Sequence, residues 1–97
     1  MTIRVKLYGV FKTAAGTDNI TLDSTQTELT VRMALAQLLS RHGSDELRAL
    51  VLEGSSSDPR STTLILVSGR EIGALGGLDT SLREDDELSL LPIAHGG

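Results

Sequence analysis

The sequence predicts a single α+β domain in which four to five strands pack on one main helix. Three observations favour this fold class. The chain has 97 residues, which is the length of one domain. Apolar and polar residues alternate near both of its ends, as in strands with one buried face. Between those stretches, residues 31–42 repeat apolar side chains at helical spacing.

The first two strands are predicted to form a hairpin. Residues 2–8 alternate apolar and polar side chains, which indicates a strand. Residues 20–22 alternate again after a turn-forming segment, and pairing with the first strand is the simplest connection. The sequence therefore predicts a fairly long loop at residues 9–17 between them.

The main helix is predicted to begin at Thr30 and to end at Gly43. The Thr30 hydroxyl can cap the first turn, and glycine suits the C-terminal cap. His42 falls in the last turn and is predicted to border the core. Residues 44–52 favour a second, shorter helix, although residues 49–52 also suit an extended segment.

The second half of the chain is predicted to return to the sheet. Its predicted elements are a solvated loop at residues 53–63, a buried strand at 64–67, a short edge strand at 70–72, a turn-rich crossing at 73–82 and a last strand at 88–91. Pro92 cannot donate a ladder hydrogen bond, so it is expected to end the last strand.

Charge and composition exclude several classes of function. Thirteen acidic and nine basic residues give a net charge of −4, which argues against direct nucleic-acid binding. The absence of cysteine excludes disulfides and thiolate chemistry. His42 and His95 lie far apart in sequence, so no metal site is predicted, and residues 84–87 are expected to form a solvated turn. Without a signal peptide or membrane segment, a cytoplasmic protein is expected.

The sequence ends in Gly96-Gly97, and this ending is the feature that points to a chemistry. Glycine has no Cβ, so a diglycine tail is thin enough to enter a narrow active site of another protein and present its carboxylate there. The alternative is a frayed chain end without a role. We therefore divide the chain into a domain at residues 1–92 and a tail at residues 93–97.

The order of the motifs resembles the MoaD family of sulfur carriers, over nearly the whole chain. The matching stretches are residues 3–9, 14–16, 29–31, 64–72, 77–82, 85–88 and 91–97. The resemblance implies a ubiquitin-like β-grasp fold with a mixed sheet on one main helix. MoaD-like tails often have two successive prolines, where this chain has Pro92-Ile93. Its ending in His95 and two glycines is similar to the ubiquitin-related modifier of transfer-RNA thiolation.

The resemblance implies that the protein is a carrier and not itself an enzyme. An E1-like enzyme would use ATP to adenylate the Gly97 carboxylate, next to Gly96, and sulfur transfer would then give a thiocarboxylate. Such a carrier needs no catalytic side chain and no bound cofactor. The length and the final third favour the small subunit of molybdopterin synthase, with a MoaE-like large subunit as partner. Thiamine, cysteine and transfer-RNA thiolation pathways stay open.

Two other functions remain open at this point. A ubiquitin-like modifier would join Gly97 to lysines of target proteins, as in small archaeal modifiers, and His95 slightly favours this. Lys6 and Lys12 are the only lysines and hence the only internal side-chain acceptors. A plain binding module would leave the glycines without a role, and deleting Gly97 would then leave its function intact.

Strand parity predicts an apolar docking patch near the tail. If the apolar residues of the first strand face the helix, Tyr8 faces outward, and Leu91 faces outward on the last strand by the same rule. These two strands are neighbours in a β-grasp sheet. The patch would bind the activating enzyme and the acceptor; the alternative is scattered exposed apolar residues. The predicted partner-binding residues are Tyr8, Leu91, Pro92, Ile93, Ala94 and His95.

Overall fold

The computed structural model describes residues 1–52 and 63–93, which form a main sheet with helices on one face. Its strands, in chain order, are β1 (Thr2–Leu7), β2 (Asn19–Asp23), β3 (Leu29–Thr30), β4 (Thr63–Val67), β5 (Arg70–Glu71), β6 (Ser81–Leu82) and β7 (Glu87–Pro92). The helices are α1 (Val10–Ala15), α2 (Val31–His42) and α3 (Asp45–Leu52). Short 3-10 turns span Ile72–Ala74 and Gly77–Asp79.

The main sheet is mixed and has the order β2-β1-β7-β4-β5. β1 pairs antiparallel with β2 and parallel with β7, and β4 is antiparallel to both β7 and β5. A small second sheet pairs β3 with β6. The first and last strands are therefore neighbours in the middle of the sheet, as predicted. This arrangement, with α2 packed on one face, confirms the ubiquitin-like β-grasp fold class.

The hairpin of β1 and β2 is confirmed, but the loop predicted between the strands is wrong. The apolar residues of β1 are buried and pair with the buried residues of β2. Residues 9–17 contain the helix α1, which ends at Gly16 with φ 76°. Phe11, only 1% exposed, anchors α1 in the core. A six-residue helix with a single buried residue shows no period that the sequence could reveal.

The helix α2 begins and ends where the sequence predicts. The Thr30 hydroxyl accepts a hydrogen bond from the Met33 amide at 3.2 Å and caps the first turn. Gly43 follows the helix with φ −75°, so its backbone is not left-handed. A Cβ at this position would lie 2.2 Å from the Leu39 carbonyl oxygen, so close backbone approach is what requires glycine there.

His42 does not border the core, contrary to the prediction. The buried stripe of α2 consists of Val31, Ala34, Leu35, Leu38 and Leu39, and it ends one turn before His42. The His42 side chain is exposed because the chain leaves the helix at the next residue. Its position at the helix end was therefore predicted correctly, and its burial was not.

The second, shorter helix is confirmed as α3, which excludes the extended alternative for residues 49–52. The Ser44 hydroxyl accepts a hydrogen bond from the Leu47 amide at 3.0 Å and so caps the helix. The same hydroxyl donates to the Ala14 carbonyl at 3.1 Å, which ties α3 to α1. Leu47 and Val51 are buried on the core side.

The strands of the second half follow the prediction with several corrections. The crossing predicted at residues 73–82 ends in β6, and Glu87, predicted in the solvated turn, begins β7. Ser68 and Gly69 form the β4–β5 turn with φ of 47° and 87°, as expected for a two-residue hairpin. Thr63, predicted in the loop, is the first residue of β4 and is buried. Ile72 belongs to a 3-10 turn and not to the edge strand. The rest of the predicted loop, residues 53–62, lies outside the described residues.

Candidate functional site

The face of the main sheet that is turned away from the helices is the candidate site, and we call it the outer face. The core residues of β1, β4 and β7 point to the helices, so the residues that alternate with them lie on the outer face. Strand register places Lys6, Ser89 and Leu66 in one row across this face. Leu91 and Leu64 form the next row toward the end of β7.

The row toward the end of β7 is apolar. Leu64 and Leu91 pair directly, and both side chains are half-buried, as is that of Leu66 one row away. Ser89 is nearly covered although it lies on the outer face, because it is a short side chain in a central strand. A continuous apolar surface therefore leads across β4 and β7 to the point where β7 ends.

Leu64 and Leu66 were not among the predicted site residues, and the prediction of a buried strand is wrong for these two residues. An uninterrupted apolar run carries no alternation, so it does not tell which residues face the core. The structure decides this through register, because Ile65 pairs with the buried Leu90. Leu90 was predicted to face the core, and residues that pair directly across two strands share a face of the sheet. A predicted pairing of Ile65 with Leu90 would therefore have shown that Leu64 and Leu66 face outward.

Tyr8 extends this surface at the end of β1. Its amide donates to the Leu90 carbonyl at 3.1 Å, so the ladder between β1 and β7 continues one residue beyond the strand. Leu7 pairs with Leu90, which makes Leu91 the next residue in register with Tyr8. The Tyr8 side chain is 42% exposed, an unusual exposure for a large apolar ring. Tyr8 and Leu91 therefore come together as parity predicts.

Pro92 and Ile93 form the root of the tail beside these residues. Pro92 is exposed, ends β7 and pairs with Thr63 of β4. Ile93 is half-buried. The structure thus brings four of the predicted partner-binding residues to one end of the sheet. The other predicted tail residues, Ala94, His95, Gly96 and Gly97, lie outside the described residues.

Both lysines lie near Tyr8. Together with Tyr8 they line a cleft of about 390 Å³ at the edge of the sheet. Lys6 Nζ is 3.9 Å from Glu87 Oε1, an exposed ion pair that contributes little to stability. Lys12 lies on the exposed side of α1. Either amine is therefore open to solvent, which is what a role as isopeptide acceptor requires.

The acidic turn after β6 lies at the opposite end of the sheet and is organised by backbone donors. The Thr2 amide donates to Glu84 Oε2 at 2.6 Å, and the Arg83 amide donates to Asp86 Oδ2 at 2.7 Å. The Ser68 hydroxyl donates to the other Asp86 oxygen at 2.9 Å. These carboxylates shape the turn, and the described residues contain no group of three or more His, Asp or Glu placed to hold a metal ion.

None of the helices among the described residues could span a membrane, because each is too short or too polar.

No protein-family model matches the sequence, and no curated protein sequence matches it. Solved structures do resemble it over its full length. Small archaeal modifier protein 1 (SAMP1) from Haloferax volcanii is 25% identical, covers 100% of both chains and superimposes with a TM-score of 0.82.

Two further structures define the type of fold. Urm1 from Trypanosoma brucei is 26% identical over 99% of this chain and 95% of its own, with a TM-score of 0.73. A putative molybdopterin converting factor, subunit 1, from Pyrococcus furiosus is 22% identical over 97% and 99%, also with a TM-score of 0.73. The chain has a ubiquitin-like fold of the MoaD and small archaeal modifier type. The resemblance predicted from the sequence is thereby confirmed.

In this MoaD-like fold four of the predicted site residues lie together at one end of the sheet. Tyr8, Leu91, Pro92 and Ile93 are brought together by the parallel pairing of β1 and β7. Leu64 and Leu66 join them from β4, although the sequence did not single them out. The geometry gives the position of this surface and its apolar character. Its role in docking a partner stays a prediction.

Proposed function

We propose that this protein is a sulfur carrier whose Gly97 carboxylate is first adenylated and then converted to a thiocarboxylate. One observation carries the proposal: the tail leaves from the middle of the sheet, next to the apolar outer face. β7 is held between β1 and β4 up to Leu90, and β4 alone continues the pairing to Pro92, so the tail root is fixed in place. An enzyme that docks on Leu91 and Tyr8 would therefore find the start of the tail, after Pro92, at a defined position.

The proposed chemistry needs groups from a partner enzyme and ATP. A Gly97 carboxylate oxygen attacks the α-phosphorus of ATP, pyrophosphate leaves, and an acyl-adenylate forms. The terminal sulfur of a persulfide donor then displaces AMP from the carbonyl carbon and gives an acyl disulfide. A thiol attacks the donor sulfur of this disulfide, which releases the thiocarboxylate and leaves a disulfide between the thiol and the donor. The carrier contributes a docking face and a thin tail, consistent with a sequence that lacks cysteine.

We propose the small subunit of molybdopterin synthase as the specific role, with a MoaE-like large subunit that receives the tail. The length of the chain and its final third support this, as does the likeness to the putative converting factor subunit of Pyrococcus furiosus. In cells that lack this chain, molybdenum-enzyme activity is expected to be lost and to return with the wild type but not with the Gly97 deletion. Unchanged molybdenum-enzyme activity in those cells would contradict this role.

A second candidate is a protein modifier that joins Gly97 to target lysines. The likeness to SAMP1 and Urm1, at 25% and 26% identity, favours it slightly over the likeness at 22% to the converting factor. Both functions begin with the same adenylate. They differ in the nucleophile that displaces AMP, which is a sulfur donor in one case and a lysine amine in the other.

Intact mass spectrometry of the protein from its native cells, combined with a blot for covalent adducts, distinguishes these functions. Replacement of one terminal oxygen by sulfur supports the carrier. A ladder of adducts that disappears when Gly97 is deleted supports the modifier. The Gly97 deletion should melt like the wild type, because the tail lies beyond the last strand. Finding neither species would contradict both functions.

Docking on the outer face is tested by Leu91→Asp, assayed as ATP-dependent activation by the cognate enzyme. We expect a loss of about tenfold or more, since a charge would be buried at the centre of the contact. Ala36→Asp, an exposed position on α2, is the control on the other side of the molecule. Tyr8→Ala provides a second variant at an exposed position. Wild-type activation of both Leu91→Asp and Tyr8→Ala would exclude this face.

A further inference from the structure

Gly9 is packed directly against the residue from which the tail departs. It lies in the turn between β1 and α1 with φ 56° and ψ −129°, a conformation that L side chains rarely adopt. A Cβ at this position would lie 3.0 Å from Pro92 Cγ and 3.3 Å from Pro92 Cδ. A Cβ at position 9 would therefore require the proline ring to shift by a few tenths of an ångström.

The turn that carries Gly9 is held on both sides. On the strand side, the Tyr8 amide donates to the Leu90 carbonyl at 3.1 Å. On the helix side, the Gly9 carbonyl accepts the Thr13 amide at 3.2 Å and the Thr13 hydroxyl at 3.4 Å. The buried Phe11 fixes the helix that follows. Because these contacts hold the turn in place, a side chain at position 9 would displace Pro92 rather than the turn.

Pro92 is in turn the last residue held by the sheet. Its ring is rigid, and its backbone pairs with Thr63 of β4. Beyond it, Ile93 belongs to no strand. A displacement of Pro92 therefore changes the direction in which the chain leaves the sheet at Ile93, while the outer face formed by Leu64, Leu66 and Leu91 stays in place.

We propose that Gly9 is a positioning residue that sets the exit direction of the tail through its contact with Pro92. This inference rests on the proposed function, because tail direction matters when another protein must receive Gly97. Docking would depend on the outer face, and reaction would depend on where the tail points once docked. The two contributions are separable at Gly9, which is not one of the predicted partner-binding residues.

The kinetic test compares Gly9→Ala with Gly16→Ala. Gly16 lies at the other end of α1 in the left-handed region, with φ 76° and ψ 7°, and a Cβ added there would have nothing within 4 Å, so it controls for an alanine at a positive φ without a close contact. With the cognate activating enzyme, we expect Gly9→Ala to lower kcat about tenfold with little change in KM. A misplaced reacting group slows the reaction within the bound complex and leaves docking unchanged. Gly16→Ala should keep the wild-type kcat. Equal kcat for the two variants, both measured well below their melting temperatures, would overturn the proposal.

Pro92→Ala separates the contact from the strain at position 9. It removes the ring atoms that a Cβ would meet, so the double variant Gly9→Ala/Pro92→Ala should lose less than the sum of the two single losses. If Gly9→Ala acted only through backbone strain, the loss of kcat in the double variant would equal the sum of the two single losses. Such additivity would overturn the role of the contact between position 9 and Pro92.

A readout without an enzyme keeps the inference testable if the proposed function fails. Residual dipolar couplings of the Ile93 amide report the orientation of the chain at the tail root. They should change in Gly9→Ala and not in Gly16→Ala. Couplings that are unchanged in Gly9→Ala would overturn the proposal, whereas changed couplings in a protein that no enzyme activates would refute only the proposed function.

Discussion

At the scale of single residues, small and polar side chains at element boundaries decide where the elements of this protein begin. Thr30 and Ser44 each satisfy a free backbone amide at a helix start. Gly9 allows a turn that no other residue would accept without strain. None of these three belongs to the buried apolar core. These residues fix where the chain changes direction. The Thr30 cap could be predicted from the sequence because its hydroxyl precedes a clear helical period.

Replacing Thr30 by alanine is expected to lower the free energy of unfolding by about 1 kcal/mol, because the Met33 amide loses its partner. The measurement is urea denaturation followed by circular dichroism. Thr27→Ala is the matched control, since Thr27 is exposed and its side chain makes no hydrogen bond within the described residues. A loss that is equal in the two variants would show that the hydroxyl does not act as a cap.

At the scale of elements, α1 and α3 form a unit that the sequence predicts only in part. The pattern at residues 44–52 indicated α3, whereas α1 was predicted as a loop. The two helices contact each other, and the Ser44 hydroxyl joins them through the Ala14 carbonyl. α1 exists because tertiary packing buries Phe11, and a helix of this length is not stable by its own propensity.

Phe11→Ala is expected to lower the free energy of unfolding by about 3–5 kcal/mol, because it removes the largest buried side chain of α1. Val10→Ala, the preceding residue of the same helix, is 49% exposed and should cost less than about 1 kcal/mol. Thermal and urea denaturation of both variants give the comparison. Similar losses would mean that α1 is not anchored through its inner side.

Ser44→Ala is expected to cost about 1–2 kcal/mol, since one hydroxyl makes two hydrogen bonds that join two helices. Ser40→Ala, at an exposed position of α2, is the control. Amide hydrogen exchange provides a second readout, because the first turn of α3 should open more readily in Ser44→Ala. Unchanged exchange at Leu47 would contradict the cap.

At the scale of the whole molecule, the first and last strands lie side by side in the middle of the sheet. β1 and β7 are separated by most of the sequence and pair in parallel, and each has another strand on its other side. β5 pairs on one side only. The centre of the sheet should therefore open only when the domain unfolds, whereas its edge should open locally.

Native-state hydrogen exchange should show this order. The amides of Val5 and Leu90, in the two central strands, are expected to exchange through global unfolding, at the free energy measured by denaturation. The amide of Arg70 in the edge strand should exchange at a lower free energy, through local opening. Protection of Arg70 equal to that of Val5 would show that the sheet opens only as one unit.

Local periodicity along the sequence specifies β1, β2, α2 and the last strand, and the proposed carrier chemistry starts from the two terminal glycines. The tertiary structure decided which face Leu64 and Leu66 occupy, that residues 10–15 are helical, and that Gly9 meets Pro92. The physical reason is the range of the interactions. Periodicity is local and readable along the chain, whereas strand phase in an apolar run and contacts between distant turns exist only once the strands have paired.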